Sequence, residues 1–131
     1  MVVIARALVR EVLANATRGQ EGALVGLGAT TEVRGLVATS SPGVFRSGGM
    51  SDEVLGEMGG RLGMKGLAQL GYWRPAAGGP AKPEAGEFPA GKPDFLVLVV
   101  AVRDGTSAEW AFWRLDPGTR LPVPEPVHII P

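Results

Sequence analysis

The sequence predicts a single α+β domain in which a mixed β-sheet is flanked by two main helices. Three observations predict it. Two segments carry apolar residues at helical spacing, Ala5–Ala16 and the stretch after Ser51. Short Val- and Leu-rich runs bounded by glycine and polar residues lie between and after them, as strands do. The most hydrophobic run, DFLVLVVAVR at 94–103, has no polar alternation until its end, which marks a central strand covered on both faces.

In chain order, Val2–Ile4 reads as a short first strand. Leu8, Val9, Val12, Leu13 and Ala16 then recur at three- and four-residue spacing, with Arg6, Arg10 and Glu11 between them, and the helix ends near Asn15–Gly19. GALVGL at 22–27 and EVRGLVA at 32–38 form paired strands, followed by a Ser/Pro/Gly loop over 40–49. Ser51 supplies an N-cap, and Asp52 and Glu53 place negative charge at the positive end of the helix dipole. Val54, Leu55, Met58 and Leu62 form the expected buried stripe. Gly59 and Gly60 weaken this helix, and Gly63 and Gly66 are its candidate stops.

The strand GLAQLGYWR at 66–74 runs into a Pro/Gly-rich stretch, Pro75–Pro93, which is long for a connection inside one domain. After the central strand, Asp104-Gly105 is a turn dipeptide and Ala108–Leu115 completes a hairpin. Trp110 and Phe112 fall on one face of that second strand, and Ala111, Trp113 and Leu115 on the other. Residues 117–131 are a Pro-rich C-terminal tail with Pro122, Pro124 and Pro126 at alternate positions. Such a run forms an edge strand or a polyproline-like surface segment. No boundary divides residues 1–131.

Composition narrows the function. Acidic and basic residues balance at 13 each, so no field of one sign draws the chain to nucleic acid or an anionic membrane, and neither is expected as a partner. Without cysteine there is no disulfide, thiol catalysis or cysteine-ligated metal. The longest apolar run, Phe95–Val102, is too short to cross a bilayer, and Arg6 and Arg10 interrupt any secretory core, so a cytoplasmic location is expected. Arginine outnumbers lysine ten to three, and Asn and Gln are scarce, as in a thermophilic bacterium or GC-rich coding.

No phosphate-binding glycine motif follows a strand, and GLGAT at 26–30 joins two strands as a turn. The lone histidine, His128, lies in the Pro-rich tail beside two isoleucines, a poor setting for a catalytic triad. Tyr72, Trp73, Trp110, Phe112 and Trp113 lack interleaved basic residues and read as packing side chains.

The segment GYWRPAAGGPAKPE at 71–84 resembles the site loop of the JAB/MPN family, the JAMM metalloproteases, through its glycine-aromatic start and its G-P-A-K-P end. GALVG at 22–26, Phe45-Arg46, FLVLVV at 95–100 and the Trp-rich strand resemble that family's elements in the same order, over roughly residues 3–116. The resemblance implies a JAB/MPN, cytidine-deaminase-like architecture. It also implies a zinc held by two histidines and an aspartate, with a water activated by a glutamate. In this chain the histidine positions are Arg74 and Ala76, the aspartate position is Glu87, a serine position is Glu84, and the glutamate position is Gly19 or, with a shift in register, Glu21. An arginine stays protonated and repels a metal.

The resemblance therefore implies a degenerate member without zinc or other cofactor: a catalytically inactive, protein-binding or scaffold domain that pairs with a protein partner or with itself. Two alternatives stand beside it. One is a metal-dependent hydrolase built on Glu21, Glu84 and Glu87. The other is a small-molecule module that holds an anion at Arg74. Arg74 either pairs with Glu84 or Glu87 to close the loop, or all three face solvent.

Overall fold

In a computed structural model describing residues 1–131, Arg6–Thr17 (α1) follows directly on a first strand, Val2–Ala5 (β1). Its apolar stripe decides where it goes. Val12 and Ala16 are fully buried, with Leu8, Val9 and Leu13 packed beside them. They meet Leu24, Val33, Leu70, Trp73, Leu96, Leu98, Val100 and Phe112, which come from five different strands. One helix can reach that many strands only if the sheet curls around it.

The other elements are Glu21–Leu27 (β2), Glu32–Thr39 (β3), Asp52–Leu62 (α2), Leu67–Ala77 (β4), Leu96–Arg103 (β5), Thr106–Leu115 (β6), Pro122–Glu125 (β7) and Val127–Ile130 (β8). All eight strands form one sheet in the order β7-β6-β5-β4-β2-β3-β1-β8. The β1–β3, β1–β8 and β4–β5 pairs are parallel and the remainder antiparallel. Register shifts interrupt the β2–β3, β2–β4 and β5–β6 ladders, and such bulges add twist and bend to a sheet.

The expected mixed sheet flanked by two main helices, a layered cytidine-deaminase-like arrangement, is therefore corrected. The molecule is a nearly closed, barrel-like eight-stranded sheet with only two short helices, about 20% helical. The physical reason lies in closure. A flat sheet needs a helix layer on each face, whereas a curled sheet buries its inner face around α1 alone. The segment carrying β7 and β8 completes the curl. Only Pro126 separates the two strands, yet β7 pairs with β6 at one end of the order and β8 with β1 at the other. The alternate prolines cost little here, because each half of the segment makes a ladder on one side only.

Helix α2 lies on the outer face, capped by the Ser51 side chain, which accepts from the Val54 amide, and ended by Gly63 in the left-handed region. Its buried stripe is narrower than expected. Met58 packs with Ala23 and Val25, with Leu55 beside them, but Val54 and Leu62 are 42% and 46% exposed. The outer face offers α2 one shallow contact, chiefly along β4, instead of a concave bed.

The Pro/Gly-rich stretch is shorter and more ordered than expected. β4 continues through Ala77, and Ala85–Glu87 form one 3-10 turn. Its length has a topological cause. β4 and β5 are parallel neighbours, so the chain must travel back along the sheet between them. This crossover carries no α-helix. It covers the outer face with Phe88 and Phe95, which cluster with Tyr72, Val97 and Val99. No helix is long and apolar enough to cross a membrane.

Candidate functional site

The direction of the β4 side chains places the site. Leu70 and Trp73 both point into the inner core although they are three residues apart, because the β2–β4 register shifts between Leu24 and Val25. The shift turns Tyr72, Arg74 and Ala76 to the outer face, beneath the crossover. Gly71 makes this possible. A Cβ there would stand 1.9 Å from the Leu96 carbonyl oxygen, so only glycine lets β4 and β5 approach.

Glu87, from the 3-10 turn, comes down onto these residues. Arg74 donates to it through Nε to Oε1 at 2.5 Å and Nη2 to Oε2 at 2.9 Å, a bidentate pair. The Tyr72 hydroxyl donates to Oε1 at 2.5 Å and the Glu84 amide to Oε2 at 2.7 Å. The Arg74 and Glu87 side chains are only 17% and 16% exposed. Burial alone would raise the Glu87 carboxyl, but the bonds from Arg74, Tyr72 and the Glu84 amide outweigh it and hold the carboxyl at about 2. Burial, with the Glu87 carboxylate beside it, pushes the Tyr72 phenol up, and the bond to Glu87 raises Arg74.

A second ion pair stands alongside. Glu21, at the start of β2, is buried, and its Oε1 accepts from the Gly43 amide at 2.7 Å and from Arg46 Nε at 3.1 Å. Arg46 Nη2 reaches Oε2 at 2.6 Å, and this bond raises the arginine further. The Arg46 guanidinium also lies over the Tyr72 ring, 5.7 Å from its centroid, and so joins the two pairs. Gln69 holds the loop that carries Arg46 by donating to the Phe45 carbonyl at 2.8 Å and accepting from the Met50 amide at 3.1 Å. Lys92 ties the same loop to the crossover by donating to the Gly48 carbonyl at 2.8 Å. Trp113 Nε1 anchors the crossover from the other side, through the Ala81 carbonyl at 2.8 Å.

Above the two pairs is an open cleft of about 490 Å³, with Arg46, Arg74, Lys82, Glu84 and Glu87 on its walls. Of the residues expected here, Arg74, Glu84, Glu87 and Ala76 all line it, and Ala76 also packs under the crossover. Glu84 contributes its amide to Glu87, in a reciprocal cap of the 3-10 turn. Glu21 is drawn into the network, whereas Gly19 sits in the turn after α1, with φ +79° and open space around it. No three His, Cys, Asp or Glu side chains gather where they could hold a metal. His128 is exposed on β8.

Two members of the network, Arg46 and Tyr72, were not expected in it. Arg46 lies 25 residues from Glu21, and no local pattern links them. The signal for Tyr72 was present in its place on the strand that carries Arg74: residues two apart share one face.

No family model matches the chain, and no curated protein matches it. The fold is found among solved structures. A protein of Salinibacter ruber, solved in solution, is similar with a TM-score of 0.66 at 19% identity, over 99% of this chain and 92% of that one. A protein of Desulfitobacterium hafniense, also solved in solution, is similar with a TM-score of 0.63 at 17% identity, over 99% and 93%. At that identity the likeness is one of fold.

Proposed function

We propose that this chain is a non-catalytic, protein-binding domain in which two ion pairs occupy the place of a reaction centre. One observation carries the reading. The carboxylates of Glu87, half-buried, and Glu21, buried, each accept from a guanidinium and a backbone amide. A carboxylate whose oxygens are engaged in this way is held back from a metal and from a substrate proton. The resemblance of 71–84 to the JAB/MPN site loop belongs to the proposal as a reading of descent: a metal site replaced by arginine–carboxylate pairs.

The test is metal analysis of protein purified from zinc-supplemented cells, together with an assay on isopeptide-linked substrates. The expected result is substoichiometric zinc and no turnover. One zinc per chain, with cleavage lost in Glu87→Gln or Glu21→Gln, would overturn the proposal in favour of a carboxylate-based hydrolase.

A second reading, an anion or small-molecule site, is favoured by the three cations on the cleft, Arg46, Arg74 and Lys82. Against it, Glu21, Glu84 and Glu87 offset those charges one for one, leaving no net positive field. Titration with inorganic phosphate, read at the Arg74 Nε–H resonance, separates the two. Saturable shifts support the anion site.

A further inference from the structure

β3 is paired along its whole length on one side only. β2 runs beside it from Glu32 to Thr39. On the other side, the β1 ladder stops at the Ile4–Val33 pair, because β1 ends at Ala5 and the chain turns straight into α1. From Arg34 to Thr39 the outward backbone groups of β3 therefore have no strand partner. An edge of this kind is a template for another strand.

The first part of this edge, Arg34–Leu36, is the floor of a groove of about 350 Å³ between the two helices, walled by Leu8 of α1 and by Met58 and Leu62 of α2. The 46% exposure of Leu62 is explained by this position: it is the apolar lip of the groove. Arg34, Arg61 and Glu11 are the charges there. Arg34 is paired with Glu32 at 2.8 Å, whereas neither Arg61 nor Glu11 makes an ion pair in the structure.

From this geometry we infer that the groove is a docking site for an extended segment of a partner protein, which adds a strand to the free edge of β3. The unpaired backbone demands an extended chain, since a helix has no free groups with which to answer it. The apolar walls demand apolar side chains at alternate positions, and the unpaired Arg61 and Glu11 each demand a residue of opposite charge beside them. The inference rests on the binding-domain reading and adds where the partner binds and what it looks like.

The test uses the full chain and a phage-displayed library of random dodecapeptides. Selected peptides are expected to alternate apolar residues, carry an acidic residue opposite Arg61 and a basic one opposite Glu11, and slow hydrogen exchange at the amides of Leu36–Thr39. Leu62→Glu and Arg61→Glu, both at the groove lip, are expected to weaken binding about tenfold or more, with Lys82→Glu in the cleft without effect. Arg61 is a surface residue of α2, so its variant reads binding even where Leu62→Glu lowers stability. Peptides weakened by Lys82→Glu and not by the groove variants overturn this site and leave the binding-domain reading standing. Failure to select any peptide overturns both. Protection of the same amides by self-association, without peptide, overturns the partner in favour of a second copy.

Discussion

Glu87 accepts four hydrogen bonds on two oxygens, from Tyr72, twice from Arg74, and from the Glu84 amide. Its folded pKa of about 2 lies below the ordinary 4.5. Folding therefore favours the ionised form, and the stabilisation is fully present above pH 4.5 and drains away as the pH falls toward 2. Urea midpoints of the native chain are expected to fall across that window. In Glu87→Gln this component of the pH dependence is expected to vanish. Arg74→Ala leaves a half-buried carboxylate without its cation and is expected to cost about 2–3 kcal/mol by urea unfolding. Arg103→Ala is the control, because its pair with Glu109 is 3.5 Å long and more than half exposed on both sides. Its loss is expected to cost under about 0.5 kcal/mol. The sequence brought Arg74, Glu84 and Glu87 to one loop but left open whether they pair, since rotamer and burial decide that.

The elements were more legible than the contacts between them. Helix α1 and the β5–β6 hairpin follow from periodicity and from the Asp104-Gly105 turn, where both residues have positive φ, 54° and 71°. The narrow buried face of α2 was not legible. Its sequence carries a full apolar stripe, but the bed it meets is shallow. Helix α2 also makes a prediction. A Cβ at Gly56 or Gly60 meets nothing within 4 Å, so Gly56→Ala and Gly60→Ala are each expected to raise stability by up to about 1 kcal/mol, read as a higher thermal midpoint. Gly71→Ala is expected to do the reverse. Its Cβ would collide with the Leu96 carbonyl in the middle of the sheet, and a loss of about 3 kcal/mol or more, or failure to fold, is expected in the same measurement.

For the molecule as a whole, the seam is the decisive feature. Glu125 binds the amino terminus of Met1 at 2.7 Å and Arg114 Nε at 3.3 Å, where β7 gives way to β8. The Val2 amide donates to the Pro126 carbonyl at 2.8 Å, within one residue of that cluster. A chain ending at Leu121 loses both seam strands and exposes the edges of β6 and β1. Loss of the cooperative unfolding transition and of near-ultraviolet circular dichroism is the expected outcome, with aggregation through the bared edges. Retention of a sharp transition would show that the sheet closes without the seam.

Taken alone, the sequence determined the order and kind of the helices and of the strands up to the hairpin, the central strand, the hairpin turn and the cap at Ser51, while the tail stayed open between an edge strand and a polyproline-like segment. Those properties are local: they follow from hydrophobic period, turn residues and capping atoms within a few positions of one another. Only the tertiary structure decided that the sheet curls around α1, that the long Pro/Gly stretch is a parallel crossover, and that the alternating prolines close a seam. The same holds for Arg46 and Glu21, and for the free edge of β3. Each depends on register, bulges and strand neighbours, and these are set by side chains that meet only after the chain has folded.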